Sequence, residues 1–578
     1  MFPVPYHKTI LITLLFLVFF IPFFSAQNFS PATDEIIHLP SGYSYWKTGQ
    51  IVLNPEHPPL VKLMASFPLL FMDLKFDAND PNLAGPFKKQ WTFGSKFLFS
   101  NDVDRLLLWG RLTVMLLSVL LGFYIYKWAS EMFVPMPKLS SVEGLSQKPK
   151  RDSNHQAGAL ALFIYAFMPV IITNAQFVTM DLPLASFSFI TFYYLWKFVV
   201  PLPKLNLPLA SRDRSPRGQT FLTQGGKKKY LIFSGLFLGM ALSSKFSAVI
   251  FLPPVAIFIF IYAWQSRQTD LTLKIRRFVN LAMVTTVPAI VVIYFSYLMP
   301  TDLDFYLKGL KSVYANWKPD FNLYLNGNFS PDGWWYYFLE AFLIKTPIPA
   351  LVAFAVSVLF YKKIKMDSWS KALVFLPMLF FAFVTSVKAQ NISIRYLVPA
   401  IPFLILYAGG GMTALGDKFY TLGQTKRKMF VAGNLLFIAL AGWYAFSALR
   451  IFPDYMPYFN EFIGGSKNGY KYLDDSNIEW GQDLKRLGKY QAKNPDVKVI
   501  YSWSHSSPEY YRVSMSNFKQ ADESGWWREP KGRFAVNTFL LIRMQLLSDQ
   551  KKDPSLNWLA LYEPVDRIGQ SFFVYDFK

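Results

Sequence analysis

The charge-free run TILITLLFLVFFIPFFSA occupies residues 9–26, and Pro31-Ala32-Thr33-Asp34-Glu35 follows just beyond it. A helix that crosses a bilayer needs about 20 mainly apolar residues, so the run predicts a transmembrane helix. A cleaved signal peptide is the alternative, because Lys8 precedes the run. Under either interpretation the adjacent carboxylates of Asp34 and Glu35 lie on the far side of the membrane, where the first outer loop begins.

Apolar runs of this kind recur along the first 450 residues. Of the 578 residues, 52% are hydrophobic and 18% aromatic, whereas only 17% are charged. These proportions exclude a soluble globular protein and indicate an all-α polytopic membrane bundle. We predict about eleven spans, at residues 9–26, 105–128, 157–174, 182–200, 230–243, 247–264, 278–298, 336–360, 372–387, 396–413 and 429–449.

The formal net charge of +22 follows from the loops between these runs. Lysine and arginine concentrate in alternate short loops, which is the distribution that marks the cytoplasmic side of membrane proteins. The same distribution argues against a nucleic-acid partner. Loops 130–156 and 201–229 then lie inside, and residues 451–578 lie outside. We therefore predict an integral, multi-pass protein of the plasma (inner) membrane.

The composition changes after residue 450, where the apolar runs stop. Residues 496–501, DVKVIY, alternate in the manner of a β-strand, Gly481–Gln491 is predicted to be helical, and Val565–Tyr575 is predicted to hold a closing strand. We therefore predict two domains. Residues 1–450 form the transmembrane domain, and residues 451–578 form a small soluble α/β domain outside the cytoplasm.

The chain contains no cysteine and only five histidines. The absence of cysteine excludes a disulfide framework, thiolate catalysis and thiolate metal ligands. With only five histidines, the sequence does not favour a multi-histidine metal cluster. We expect no metal and no other cofactor. A divalent cation is the alternative, because Asp34, Glu35 and Asp181 would supply oxygen ligands if they converge.

The predicted topology brings six ionisable residues to the outer face, and each also has an ordinary structural explanation. An acidic pair can end a helix in solvent, an Asp before Leu-Pro can cap one, and Lys or Arg can reach the interface. Ionisable groups near hydrocarbon are costly, however, so a cluster of them favours function. Carboxylates deprotonate hydroxyls, and His, Lys and Arg hold phosphate, which together favour group transfer from a lipid phosphate. The six residues are Asp34, Glu35, His57, Asp181, Lys245 and Arg395.

Five short motifs, in this order, resemble those of membrane-embedded glycosyltransferases of the GT-C class. The nearest branch is the dolichyl-phosphate-mannose–protein mannosyltransferase family (glycosyltransferase family 39), with prokaryotic members that include the aminoarabinose transferase of lipid A. No motif is specific alone, but five in order on one predicted face make a strong signal. The motifs are Asp34-Glu35, His57-Pro58-Pro59-Leu60, Thr179-Met180-Asp181-Leu182-Pro183, residues 239–248 (GMALSSKFSA) and residues 395–403 (RYLVPAIPF).

The resemblance implies a GT-C bundle with interfacial helices in the first outer loop and a cavity open to the outer face. It implies a polyprenyl-phosphate-linked sugar as donor, an acceptor hydroxyl on a glycan, lipid or protein, and an inverting single displacement. A transporter or flippase of a lipid-linked saccharide is the alternative function. The tail residues 475–484, DSNIEWGQDL, resemble a tail of many prokaryotic members. Residues 474–477 are explained either as a turn with a helix cap or as part of acceptor recognition.

The same resemblance assigns roles to the candidate site residues. Asp34 corresponds to the general base, Glu35 orients it or the acceptor, and Asp181 is the second acidic site. The residues that correspond to ligands of the lipid phosphate or the donor are His57, Lys245, Arg395 and Tyr396. His57 stands where some relatives have lysine, and a neutral imidazole holds phosphate less firmly than an ammonium group.

Overall fold

The structure is a computed structural model that describes ten ranges of the chain. Most of the two predicted basic loops, 130–156 and 201–229, lies outside them. The described residues are 6–83, 87–133, 155–200, 219–265, 269–302, 304–315, 321–423, 427–500, 506–515 and 531–577.

Helices account for most of the described chain before residue 450, and they pack into one bundle. Almost all residues of α8 (Asp181–Val199) are buried, and Asp181 is its first residue. The others are α1 (His7–Ala26), α2 (Thr33–Thr48), α3 (Leu60–Ser66), α4 (Phe87–Phe99), α5 (Val103–Met132), α6 (His155–Ala166), α7 (Pro169–Ala175), α9 (Gln219–Leu242), α10 (Leu252–Trp264), α11 (Leu271–Ser296), α12 (Phe305–Ala315), α13 (Tyr337–Lys345), α14 (Ile348–Leu359), α15 (Ser368–Lys388), α16 (Ile401–Gly423) and α17 (Arg427–Leu449).

Seven of the described helical segments are long and apolar enough to cross a membrane, or up to nine if two bent pairs each count as one span. The polytopic helical bundle expected from the sequence is thereby confirmed, and the protein is an integral multi-pass membrane protein. The count of eleven is not confirmed. The two remaining predicted spans, 230–243 and 396–413, lie in α9 and α16, which are helical but fall outside those nine.

Proline breaks the two bent spans. The axes of α6 and α7 differ by 68°, and those of α13 and α14 by 116°. Pro169 is the first residue of α7, and Pro347 immediately precedes α14. Proline has no N–H to donate and disfavours a helical conformation in the residue before it, so the preceding helix ends. The bend after α13 leaves Lys345 at a helix end, facing the C-terminal part of the chain.

The first outer loop folds into three helices, α2 to α4. They share a core of apolar side chains that includes Ile36, Tyr43, Leu63 and Phe97. Helices α2 and α3 approach closely at Gly42, where a Cβ atom would lie 2.0 Å from the carbonyl oxygen of Lys62. Any larger residue at this position would separate the two helices, because that contact is with backbone.

A second short element, a β-hairpin, precedes α13. Strands β1 (Leu323–Leu325) and β2 (Asn328–Ser330) pair antiparallel around Asn326-Gly327. Both turn residues have positive φ, +52° for Asn326 and +77° for Gly327. Asn-Gly is favoured in two-residue hairpin turns because both residues tolerate this conformation.

The C-terminal part is α/β, as predicted. Its sheet has the order β3-β4-β6-β5, with β3 parallel to β4 and the other pairs antiparallel. Leu487 and Val574 belong to the core on one face of the sheet, and Leu541 and Phe573 to the core on the other. The elements are α18 (Leu484–Lys493), β3 (Lys498–Ile500), β4 (Gly532–Asn537), α19 (Thr538–Lys551), β5 (Asp566–Ile568) and β6 (Phe572–Phe577).

Helix α18 begins three residues after the start of the predicted Gly481–Gln491 and ends two residues after its end. Gly481 has φ +86°, which is outside the right-handed helical region. At the other end, Asn494 precedes a proline and is therefore disfavoured in a helix. The residues before this helix do not pack with the sheet alone, since Tyr455, Phe459 and Ile478 lie in the core of the transmembrane bundle. The domain boundary at residue 450 stays a prediction.

Candidate active site

Asp34 pairs with Arg395, although 360 residues separate them. Asp34 lies in the first turn of α2, and its Oδ2 accepts a hydrogen bond of 2.7 Å from a terminal nitrogen of Arg395. Arg395 lies in a single helical turn, Ile394–Leu397, just before α16. The guanidinium carbon is 4.2 Å from the ring centroid of Trp480 and 5.4 Å from that of Tyr396. Two aromatic rings thus hold the cation that faces Asp34.

Burial and charge act in opposite directions on Asp34. Burial alone would raise the pKa of its carboxyl, but Arg395, with His38 and Lys245 further away, outweighs burial and holds the pKa below its ordinary value of 3.8. Asp34 is therefore a carboxylate at neutral pH. Its side chain is 24% exposed, so the group remains open on one side.

Asp181 forms the second ion pair, with Lys245. The Lys245 ammonium donates to Asp181 Oδ1 at 2.6 Å, and both side chains are largely buried. Asp181 is the first residue of α8, but the helix has no side-chain cap. Capping of α8 therefore does not account for Asp181, and its partner is a cation from the loop before α10.

The ring of Tyr396 joins the two ion pairs. The Lys245 ammonium lies 4.5 Å from the ring centroid, and the Arg395 guanidinium carbon lies 5.4 Å from it. Two carboxylates and two cations from four separate segments thus form one cluster, with formal charges that cancel. We call Asp34, Asp181, Lys245, Arg395 and Tyr396 the ion cluster.

Glu35, next in sequence to Asp34, has an entirely different environment. Its side chain is fully buried and its two oxygens accept four hydrogen bonds. Arg111 supplies two of them, at 2.7 and 2.9 Å, and the backbone N–H groups of Ala32 and Val178 supply the others, both at 2.9 Å. All of its acceptor directions in this chain are occupied, so Glu35 fixes the start of α2 and leaves no oxygen for a substrate.

Arg111 was not among the sequence candidates, and it extends this arrangement. Its remaining N–H groups donate to the backbone carbonyls of Ala26 and Ser30, at 2.8 and 3.0 Å. The loop between α1 and α2 is therefore wrapped around one guanidinium. The available signal was the position of Arg111 inside the apolar segment 105–128, because an ionised residue in such a segment is costly without partners.

His57 lies beside the ion cluster in a neutral state. Burial, assisted by the neighbouring His38 and the cations Lys245, Lys62 and Arg395, holds the pKa of its imidazole well below the ordinary value of 6.5. The centroids of the His57 and His38 rings are 5.3 Å apart. His57 Nδ1 is buried and has no hydrogen-bond partner in the described part of the chain, so this nitrogen is available to a ligand.

Lys62 shapes the loop that carries His57. Its ammonium donates to the carbonyl oxygens of Asn54 and His57, both at 2.8 Å, and to the hydroxyl of Tyr45 at 2.8 Å. Burial lowers the pKa of Lys62 to about 7. Lys62 lies two positions after the His-Pro-Pro-Leu motif and was not among the candidate site residues.

Tail residues complete the cluster. The Asn477 side-chain oxygen accepts from the backbone N–H of Ile394 at 3.1 Å, next to Arg395. The backbone N–H of Thr33, next to Asp34, donates to the carbonyl of Trp480 at 2.8 Å. Trp480 also provides the ring beneath Arg395. The tail segment 477–480 therefore links the two partners of the Asp34–Arg395 pair.

Residues 474–477 were explained either as a turn with a helix cap or as part of acceptor recognition. Asp475–Asn477 form one helical turn of their own, and α18 begins only at Leu484, so these residues do not cap it. Asp474 instead accepts from Arg543 at 2.6 Å. A role in acceptor recognition stays a prediction.

Glu479 lies nearby, and its two oxygens differ in their contacts. Its Oε1 accepts from the backbone N–H of Gly481 at 2.6 Å, whereas its Oε2 is buried and has no partner in the described part of the chain. Burial raises the pKa of Glu479 to about 8, so the group is a neutral carboxylic acid at pH 7.

The described ranges contain no group of three or more His, Asp or Glu residues close enough to share a metal ion. Glu35 is saturated by Arg111 and by two backbone N–H groups, so it does not converge with Asp34 and Asp181 on a common point. The expectation of no metal stays a prediction.

The chain was compared with known families and structures. Residues 150–303 match the family model of dolichyl-phosphate-mannose-protein mannosyltransferase. No curated protein sequence matches the chain. ArnT from Cupriavidus metallidurans bound to undecaprenyl phosphate is similar in structure at 12% identity and a TM-score of 0.46, with 97% of each chain covered.

Two further solved structures are similar at low identity. The archaeal oligosaccharyltransferase AglB from Archaeoglobus fulgidus, in complex with an inhibitory peptide and a dolichol-phosphate, has 10% identity and a TM-score of 0.48, with 99% of this chain and 74% of that chain covered. The protein O-mannosyltransferase Pmt1-Pmt2 complex of S. cerevisiae bound to the sugar donor has 15% identity and a TM-score of 0.31, with 55% and 36% covered.

The matched range contains two of the five motifs on which the family resemblance rests. Thr179–Pro183 carries Asp181, and residues 239–248 carry Lys245, which are the two members of the second ion pair. The resemblance inferred from the motifs is thus confirmed over about a quarter of the chain. Across residues 150–303 this protein carries the sequence pattern of the dolichyl-phosphate-mannose-protein mannosyltransferase family.

Proposed function

We propose that this protein is a membrane glycosyltransferase that moves a sugar from a polyprenyl-phosphate donor to an acceptor hydroxyl. The observation that carries the proposal is the ion cluster, in which a partly exposed carboxylate and two cations meet beside a buried imidazole nitrogen without a hydrogen-bond partner among the described residues. A general base and leaving-group stabilisation are the two requirements of such a transfer. The match to a family named for mannosyl transfer from a dolichyl phosphate supports the same conclusion.

Asp34 is the base in this proposal. Its Oδ2 is held by Arg395, while no described residue donates to Oδ1. The acceptor hydroxyl gives its proton to this oxygen as its own oxygen forms a bond to the anomeric carbon of the sugar. The bond from that carbon to the phosphate oxygen breaks, and the electron pair leaves with the polyprenyl phosphate. A single displacement of this kind inverts the anomeric centre.

Arg395 and Lys245 stabilise the leaving group. A phosphodiester donor carries one negative charge, and the released polyprenyl phosphate carries more. When Asp34 takes the proton, Arg395 loses its anionic partner at the moment at which charge builds on the phosphate. The guanidinium is therefore free to interact with the leaving group, and guanidinium forks match phosphate geometry. His57 contributes a neutral hydrogen-bonding group, and Tyr396 keeps the two cations apart.

The proposed reaction takes place on the extracytoplasmic face of the plasma (inner) membrane. The C-terminal α/β domain lies on the same side, because its residues 477–480 contact the ion cluster. The acceptor is a glycan, a lipid or a protein that presents a hydroxyl at this face. Neither a metal nor another cofactor takes part in the proposed steps.

The test uses the full-length protein in proteoliposomes with a panel of radiolabelled polyprenyl-phosphate sugars and membrane extracts as acceptors, with mass spectrometry of the product. We expect transfer by the wild type and none above background by Asp34→Asn. The matched control is Asp104→Asn, which removes an exposed carboxylate that pairs with Lys485 at 2.7 Å and is not a member of the ion cluster. Label that crosses the membrane while still attached to its lipid would establish a transporter and overturn the proposal.

A further inference from the structure

A second cavity lies at the end of α14 and α15 away from Arg395. Helix α14 starts beside Lys345 and ends at Leu359, and α15 starts at Ser368 and returns towards Ile394. The cavity has a volume of about 320 Å³, and its walls include Val358, Ile364, Met366, Phe375 and Tyr407. Carbon atoms dominate these walls, so the cavity suits an apolar occupant.

The rim of this cavity is strongly basic. Lys371, in the first turn of α15, lines the cavity itself. Lys362, Lys363 and Lys365 lie exposed in the loop between α14 and α15, and Lys418 of α16 lies 5.1 Å from the ring of Phe360 in that loop. Within the described ranges none of these lysines is in an ion pair at 4.0 Å or less.

The acidic groups near the rim are fewer than the lysines. Asp367 caps α15, accepting from the backbone N–H of Ser370 at 3.0 Å and from its hydroxyl at 2.5 Å. Asp417 interacts electrostatically with Lys365. These two carboxylates leave an excess of positive charge around an apolar cavity.

We propose that this cavity binds an anionic phospholipid, and we call it the α14–α15 lipid site. One acyl chain occupies the apolar interior, and the phosphate of the head group lies at Lys371 and the loop lysines. Clusters of lysine next to membrane-crossing helices attract anionic head groups, and a neutral head group would leave these cations without partners. The exposed apolar side chains of Val358 and Leu359 extend the cavity towards the surrounding bilayer.

The proposal is independent of the glycosyltransferase function. The donor lipid would place its phosphate in the ion cluster, whereas the α14–α15 lipid site lies at the other end of these two helices. A lipid bound here is a structural ligand of the bundle. It contacts α14, α15 and α16 at the cavity between them.

The experiment is native mass spectrometry of the full-length protein ejected from nanodiscs that contain phosphatidylglycerol and phosphatidylcholine in equal amounts. We expect the wild type to retain phosphatidylglycerol about ten times as often as phosphatidylcholine. The variant Lys371→Gln should lower this preference at least three-fold. The matched control Lys388→Gln removes the same charge from the exposed opposite end of α15 and should leave the preference unchanged.

A second variant, Val358→Trp, fills the cavity and leaves every charge in place. We expect it to lose the retained phosphatidylglycerol. The thermal unfolding temperature of each variant, with and without added phosphatidylglycerol, shows whether the variant is folded. If Val358→Trp is not folded, the comparison of Lys371→Gln with Lys388→Gln tests the proposal. Equal retention of both lipids by the wild type would overturn the proposal, as would equal losses in Lys371→Gln and Lys388→Gln.

Discussion

Asp34 and Glu35 are neighbours in sequence, and each pairs with an arginine, yet only one of them is available for chemistry. Glu35 is fully buried and accepts four hydrogen bonds from Arg111, Ala32 and Val178. Asp34 is 24% exposed, and among the described residues its carboxylate has a single hydrogen-bond partner, Arg395. The contrast shows that pairing with an arginine does not by itself distinguish a structural carboxylate from one that is available for chemistry. What distinguishes the two is the number of acceptor directions that the chain leaves open.

The largest expected effect comes from Asp34→Asn. The change keeps the shape and removes the proposed base, and loss of general-base catalysis costs about 100- to 10,000-fold in rate. We expect this loss in the initial rate of transfer, with the thermal unfolding temperature close to that of the wild type. Near-normal activity would show that Asp34 is not the general base. Asp34 and Glu35 would then no longer differ in catalytic function.

Glu35→Gln should give the opposite pattern, a loss of stability. It leaves the buried guanidinium of Arg111 without a counter-charge, and breaking one partner of a buried pair costs about 3–5 kcal/mol. We expect low yield and a reduced unfolding temperature in detergent. The double variant Glu35→Gln with Arg111→Met removes the unpaired charge and should recover part of the loss. A stable but inactive Glu35→Gln protein would show that Glu35 acts in the reaction itself.

Arg395→Gln tests why Asp34 is ionised. In the wild type the pKa of Asp34 lies below 3.8, so the rate should not fall on the acid side until the pH drops beneath that value. Without Arg395, burial dominates and raises the pKa, so the acid limb of the pH–rate profile should move to higher pH. The control is Arg450→Gln, which breaks an exposed pair with Glu461 at 3.0 Å and should leave the acid limb in place.

Glu479 is a third case, a buried carboxyl group that forms no ion pair with any described residue, and the effect expected of its substitution is the smallest. Its pKa is about 8 in the folded protein against 4.5 ordinarily. Between these pH values the folded state holds a proton that the unfolded chain has released, so stability falls as pH rises through this window. We expect Glu479→Gln to flatten this part of the dependence of unfolding temperature on pH, and the surface change Glu509→Gln not to do so.

The sequence predicted the helical bundle, the α/β tail and all five members of the ion cluster, because these follow from local patterns. Apolar runs identify helices without knowledge of their partners, and the short motifs contain Asp34, Asp181, Lys245, Arg395 and Tyr396. That these residues converge could be expected only from the order of the motifs along a family pattern. Their roles in transfer stay predictions.

What the sequence analysis missed has a common physical cause. Arg111 and Lys62 bind several backbone carbonyl groups, which leave no trace in the residue types of their partners. Asn477 was singled out with residues 474–477, but its contact with the backbone of Ile394 was equally invisible in the sequence. Trp480 acts through its ring and its carbonyl oxygen. Glu35 could not be distinguished from Asp34 because the difference lies in Arg111 and Val178, which are remote in sequence.

The position of residues 477–480 in the sequence determines when the ion cluster can be completed during protein synthesis. A ribosome adds residues 477–480 only after every transmembrane helix has been synthesised. Until that segment reaches the bundle, Thr33 lacks the carbonyl partner that steadies Asp34, and Arg395 lacks the ring beneath its guanidinium. Insertion into the bilayer can therefore finish before the ion cluster is complete, because the segment that contacts Thr33 and Arg395 is translated after the helices.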